Sequence, residues 1–265
     1  MVSQPGAEAG RSYGREMGAA GEQRRRRRGR RARTGGVVGL LVVVLGVVLA
    51  TLLGRGTGSS PASSVGTGHV PAGTLDGVGA RTALDRLPVT PKGSLAGYQR
   101  SCDGGSGCVF GPAWADVDGN GCDQRDDVLH RDLTAVQVRA GTGGCVVVGG
   151  SLADPYTGTT VTFAKAQADK VQIDHVVPLA AAWAQGASRW AAQRREAFAN
   201  DLGNLVATTS GPNESKGDDT ADEWTPPNAG FDCAYGRVVV SVKQRYGLTV
   251  TATEVAALRR LLATC

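Results

Sequence analysis

Apolar and polar positions follow three regimes along the chain. Residues 1–36 are polar and show no apolar period. Val37 to Gly54 then reads VVGLLVVVLGVVLATLLG, 18 residues without a charge. At ~1.5 Å rise per residue that run is roughly 27 Å long, close to the ~30 Å hydrocarbon core of a bilayer. Residues 55–79 are rich in Gly, Ser, Thr and Pro and read as a flexible linker. From about Ala80 the apolar pattern becomes regular, leaving roughly 185 residues (80–265) to build one sizeable core.

Within 80–265 the pattern predicts mixed elements. A short helix covers Ala80–Leu87 and ends at Pro88. Ala135–Ala140 and Cys145–Val148 are β-branched runs separated by Gly141–Gly144, the signature of a hairpin. Val161–Phe163, Val171–Ile173 and Arg237–Lys243 read as further strands. Ala180–Asn200 places Trp183, Trp190 and Phe198 at spacings of seven and eight, an amphipathic helix broken at Gly186. The chain closes with a helix opened by Thr251-x-x-Glu254, with Val255, Leu258, Leu261 and Leu262 on one face. Strands and helices placed unevenly predict an α+β fold.

Charge changes the picture of the first two regimes. The chain has 29 Lys+Arg, 24 Asp+Glu and a net charge of +5. Residues 1–36 hold 10 of the basic and 3 of the acidic residues, so residues 37–265 keep 19 basic and 21 acidic ones. The basic character belongs to the leading tail. Arg24–Arg33 lies just before the apolar run, which by the positive-inside rule puts the N-terminus in the cytoplasm and everything after Gly54 outside. An uncleaved single-pass anchor over 37–54 fits best, because the polar leader is long and no clear A-x-A site follows. A cleaved signal peptide, giving a secreted product, is the alternative.

All six cysteines, Cys102, Cys108, Cys122, Cys145, Cys233 and Cys265, follow the apolar run. An even count confined to an exported part indicates disulfides. Sequence proximity favours Cys102–Cys108, Cys122–Cys145 and Cys233–Cys265 among the possible pairings. No C-x2-C pair occurs, so structural zinc is not expected.

Candidate chemistry is concentrated between Ile173 and Asp218. Asp174-His175-Val176-Val177-Pro178-Leu179 follows a short strand. Asn204-Leu205 comes 29 residues after His175, and Asn213-Glu214-Ser215-Lys216-Gly217-Asp218 begins nine residues after Asn204. Asp and Asn supply hard oxygen ligands for Mg²⁺. A neutral His can take a proton from water near ambient pH, and an adjacent ion stabilises charge on a phosphoryl oxygen. Together with a nearby Lys these side chains suffice to hydrolyse a phosphodiester. Taken singly, each is more often a structural hydrogen-bonding group, a turn residue or a solvated charge.

The ordered set D-H-x-x-P-L, N-L and N-x-x-K-G-D resembles the HNH (ββα-metal) endonucleases. That resemblance implies Asp174 as first metal ligand and His175 as general base. It makes Asn204 the brace of the histidine loop, Asn213 the second ligand and Lys216 a residue facing the phosphate. The implied cofactor is one divalent ion, Mg²⁺ before Mn²⁺ or Ca²⁺. Thr209 and Pro212 stand where many of these proteins carry zinc cysteines, and the segment from Leu179 to Asn200 is longer than in minimal members.

Three further segments extend the resemblance: Trp114 to Arg125, Asp154-Pro155-Tyr156-Thr157-Gly158 and Glu223-Trp224-x-Pro226-Pro227. They are similar to exported actinobacterial HNH proteins related to the C-terminal nuclease domain of GmrSD-type restriction enzymes. In that group Arg125 is a candidate phosphate contact; a structural salt bridge to a nearby Asp is the other reading. Nucleic acid, DNA before RNA, is then the substrate, with little sequence specificity expected and no obligate protein partner. A competing reading starts from Asp116-x-Asp118-x-Asn120-Gly121 with Asp127 at the twelfth position, an EF-hand-like loop of a non-catalytic calcium-binding adhesion domain. The pattern departs from an EF-hand in ending on Asp and in holding Cys122. His130 reads as a helix-surface or core histidine.

Overall fold

The computed structural model describes residues 69–102 and 108–265. Helices α1 (Gly77–Leu84) and α2 (Gln124–Asp132) precede three strands, β1 (Leu133–Val138), β2 (Val147–Ala153) and β3 (Thr160–Ala164). Strand β4 (Val171–His175) follows, then α3 (Leu179–Ala184), α4 (Ala192–Ala199), β5 (Leu205–Thr209) and α5 (Ser210–Lys216). Two long helices close the chain, α6 (Asp232–Tyr246) and α7 (Ala252–Leu262). The fold is α+β and carries three disulfides, Cys102–Cys108, Cys122–Cys145 and Cys233–Cys265.

Two antiparallel sheets serve two cores. Strands β1-β2-β3 form a meander, and β4 pairs with β5 in the register Ile173↔Ala207, Asp174↔Val206, His175↔Leu205. Period-2 alternation assigns the faces of this second ribbon. Val171, Ile173, Leu205 and Ala207 bury against the meander and against Val128 and Leu129 of α2. Val206, with Val176 and Val177 just beyond β4, belongs to the larger core built on α1, α3, α4, α6 and α7. The ribbon is thus wedged between two cores, and residues at its end are held from both sides.

Local chemistry explains most boundaries. Asp76 caps α1, accepting from the Gly79 N–H, and Asp123 caps α2, accepting from the Asp126 N–H. Thr251 caps α7 by accepting from the Glu254 N–H. The Glu254 carboxylate does not return to Thr251; it is buried and pairs with Lys243 of α6 at 2.6 Å. Gly186, at φ 136°, breaks the Ala-rich segment between α3 and α4 in a conformation side chains rarely adopt.

Two expectations are corrected. Arg237–Lys243 is not a strand but the middle of α6. Val238, Val239, Val240 and Val242 are all buried there because helices pack on more than one side of α6. A helix segment buried on more than one side loses its apolar period, and burying each Val (~1.5 kcal/mol or more) outweighs a helix-propensity cost of about 0.5 kcal/mol. The folded part also begins before Ala80. The Leu75 N–H donates to Ser241 Oγ and Arg237 Nε donates to the Leu75 carbonyl, so residues from about Val70 pack on α6 rather than belonging to a linker.

Candidate active site

Strand β4 delivers Asp174 and His175 to the end of the ribbon, and β5 runs directly into α5. Asn213 and Lys216 lie three residues apart on α5, hence on one helix face, and that face packs on β4. Asn213 Nδ2 donates to Gln172 Oε1 at 2.6 Å, and Lys216 Nζ donates to Asp174 Oδ1 at 3.0 Å and to the His175 carbonyl at 2.8 Å. Asp174, His175 and Asn213 line one polar cleft of about 230 Å³, together with Arg100 and Asp218.

Asp174 is 4% exposed, and each of its oxygens has a fixed donor. Oδ1 takes the Lys216 ammonium, and Oδ2 takes the Tyr156 hydroxyl at 2.6 Å. Burial, reinforced by the negative charge of Asp174, holds the Tyr156 hydroxyl well above the usual tyrosine range, so it remains a donor. Tyr156 lies in the turn after β2. Asp154 fixes that turn, accepting from the Tyr156 N–H, from Thr157 and from Thr208 and Thr209 of β5.

His175 is 7% exposed. Its Nε2 lies 2.7 Å from the Ala199 carbonyl. A carbonyl only accepts, so Nε2 carries the ring proton and Nδ1 of the neutral ring keeps a free lone pair. Burial, then the positive charge of Arg100, pulls the imidazole pKa down to about 4, which keeps the ring neutral. Trp114 stacks on it nearly parallel, at 13° and 6.3 Å between ring centroids. Asn204 is fully buried and spans the backbone of Val177. Its Oδ1 accepts from the Val177 N–H at 2.8 Å, and its Nδ2 donates to the Val177 carbonyl at 3.1 Å. The Asn204 carbonyl also accepts from the Val176 N–H. The two residues after His175 are therefore clamped.

The structure brings together Asp174, His175 and Asn213 at one cleft, with Asn204 and Lys216 behind it. Two expected roles are corrected. The Lys216 side chain has no exposure, so it cannot face a substrate phosphate; it is an internal counter-ion to Asp174. Arg125 is half-buried on α2, does not line the cleft, and spends Nη2 on the Ala168 and Val171 carbonyls, which lock the start of β4. Arg100 and Trp114 line the site in their place. Arg100 carried no sequence signal, being one exposed cation far along the chain from the D-H pair. Trp114 opened a segment that extends the family resemblance, but nothing in the sequence placed its ring at the site.

The other candidates lie elsewhere. In the Asp116–Asp127 segment, Asp116 accepts from the Gly119, Asn120 and Gly121 N–H groups, and Asn120 donates to Asp118 and Asp127. Helix α2 leaves the twelve-residue span, but among the described residues no helix directly precedes it, so the helix-loop-helix of an EF-hand is not formed. His130 Nε2 contacts the Gly144 and Cys145 carbonyls and anchors the β1–β2 hairpin turn. Among the described residues, no group of three or more His, Cys, Asp or Glu is placed to hold a metal ion.

A protein of Arthroderma benhamiae, described as an uncharacterized secreted protein, is 42% identical over 188 residues, 70% of this chain and 84% of its own length. No solved structure matches. Among the described residues no helix is long and apolar enough to cross a membrane, and residues 37–54 lie outside them. The description of that relative as secreted runs against the single-pass anchor expected at 37–54, and that expectation is corrected on this ground. An uncharged run of 18 residues after an Arg cluster marks an export signal and an anchor alike, so length and flanks could not separate them. The model of the C-terminal domain of GmrSD restriction endonucleases matches residues 123–261, from the cap of α2 to the last turn of α7, and the chain belongs to that family.

Proposed function

We propose that this is a secreted, metal-dependent endonuclease whose ββα finger consists of β4, β5 and α5. The observation that carries the reading is the convergence of Asp174, His175 and Asn213 on one cleft while Nε2 of His175 is held by the Ala199 carbonyl. Nδ1 of His175 takes a proton from the attacking water, and burial keeps the ring free to do so. Asn204 and the Trp114 ring hold the imidazole in place as positioning residues. Arg100, exposed and lining the same cleft, contacts the substrate phosphate.

The donor set fits a hard divalent ion. One carboxylate and one amide oxygen suit Mg²⁺, which keeps several waters and takes oxygens of substrate phosphates, and they are too few and too hard for a structural zinc site. Asp174 and Asn213 would hold it, with Lys216 and Tyr156 orienting the Asp174 carboxylate from behind. A bound ion would stabilise negative charge on the phosphoryl oxygen and on the departing oxygen.

Plasmid nicking by the purified protein tests this. Cleavage is expected with Mg²⁺, none with EDTA, and a loss of roughly 10²- to 10⁴-fold in His175→Ala. Cleavage that survives in EDTA or in His175→Ala overturns the mechanism.

A further inference from the structure

A second cleft of about 500 Å³ opens beside the polar one, sharing Arg100, His175 and Leu179 with it. Its remaining walls are apolar and aromatic, chiefly Phe110, Pro112, Trp114 and Ala199. We propose that this cleft is a nucleobase subsite, and that the substrate class is single-stranded nucleic acid. The proposal rests on the nuclease reading for the polar cleft and goes beyond it.

Three observations carry it. The two clefts meet at His175, so a phosphate attacked in the first leaves its own nucleotide beside the second. The base of that nucleotide is flat and has two apolar faces, which matches aromatic walls that offer few hydrogen bonds. Trp114 is, secondly, built into position. It is one of two non-glycine residues with positive φ among the described residues, at 60°. A conformation of that kind costs on the order of 1–3 kcal/mol and persists where the surroundings impose it. The half-buried indole is thereby set parallel to the His175 ring while lining the apolar cleft. Thirdly, residues 37–265 carry 19 basic against 21 acidic residues, so no excess of positive charge holds a duplex by its backbone. Stacking supplies binding without bulk charge and tolerates any base. A base can stack there only when unpaired, which selects single strands over duplexes.

The test compares cleavage by the wild-type protein of one oligonucleotide in three forms: single-stranded, annealed to its complement, and single-stranded with abasic sites throughout. The intact single strand is expected to be cut at least roughly tenfold faster than either other form. Trp114→Ala should abolish the difference between intact and abasic strands, and Trp114→Phe should keep it. A merely structural role for Trp114 would slow both strands alike. Equal wild-type rates on the three forms, or an intact-to-abasic ratio unchanged in Trp114→Ala, overturn the proposal while leaving the nuclease reading in place. Fluorescence anisotropy of the same oligonucleotides with His175→Ala in EDTA separates the two readings. Tighter binding of intact than of abasic strands without cleavage by the wild type would sustain the subsite and sink the nuclease. Equal binding of both would sink the subsite.

Discussion

The Lys216 ammonium lies 3.0 Å from Asp174 Oδ1, and neither side chain is more than 5% exposed. A buried pair of this kind owes its energetic weight to what is left when one partner goes. Lys216→Met should destabilise the fold by about 3–5 kcal/mol, because Asp174 then keeps an uncompensated charge. Lys216→Met combined with Asp174→Asn should lose less than Lys216→Met alone. Urea denaturation of the variants checks the cycle; a Lys216→Met variant as stable as wild type would mean the lysine is solvated.

Tyr156→Phe removes the donor at 2.6 Å from Asp174 Oδ2 and keeps the ring that packs on Trp224, Phe231 and Tyr235. The carboxylate loses one of the groups that orient it, as happens when a second partner of a metal ligand is deleted. A roughly 10- to 100-fold fall in nicking rate is expected. The KM for nucleic acid should stay nearly constant, since Tyr156 is fully buried and cannot touch a strand. Steady-state kinetics on one oligonucleotide settle the split.

Asn204 both accepts from and donates to the Val177 backbone, so no residue with a single function replaces it. Asn204→Asp keeps the acceptor for the Val177 N–H but sets a second oxygen against the Val177 carbonyl. Each buried backbone group left unsatisfied costs about 1–3 kcal/mol. Asn204→Asp and Asn204→Ala should therefore both lower Tm and activity together, with Asn204→Asp no better than Asn204→Ala. A fully active Asn204→Asp would show that the clamp does not position His175.

How much of this was legible in the chain depends on distance along it. Asp174, His175, Asn204 and Asn213 announced themselves because the ribbon and helix that carry them occupy one short stretch in fixed order. The direction of the Lys216 side chain did not, since a lysine reads as solvated until the fold shows Asp174 beneath it. Strand β5 passed unnoticed behind its Asn-Leu signature. Arg237–Lys243 misled because a helix covered on several sides shows β-branched residues without a period. Arg100 and Trp114 join the site through tertiary packing from far upstream, and no local spacing records that.

The Cys233–Cys265 disulfide ties the start of α6 to the chain end across a separation of 32 residues. Loop closure of that size constrains the unfolded chain by roughly 3–4 kcal/mol. The Cys233→Ser/Cys265→Ser double variant should lose about that much in urea denaturation. Its nicking activity at low temperature should stay near wild type, because no residue of α7 lines the polar cleft. Loss of activity without loss of stability would tie the C-terminal helix to the site directly.

Arg125 and Arg100 make opposite predictions, and comparing them tests where the phosphate contact lies. Arg125 Nη2 donates to two carbonyls at 3.1 and 2.9 Å, which no neutral side chain of its length replaces. Arg125→Gln should cost about 1–3 kcal/mol of stability and leave the salt dependence of substrate binding unchanged. Arg100 is exposed and lines both clefts, so Arg100→Gln should change stability by no more than about 0.5 kcal/mol. It should raise KM and lower the slope of log K against log salt by about 0.7–0.9, the signature of one lost phosphate contact. Binding titrations at several salt concentrations, paired with denaturation curves, read both quantities for each variant. If the salt slope fell in Arg125→Gln and not in Arg100→Gln, the strand would have to run across α2, away from the cleft that holds His175.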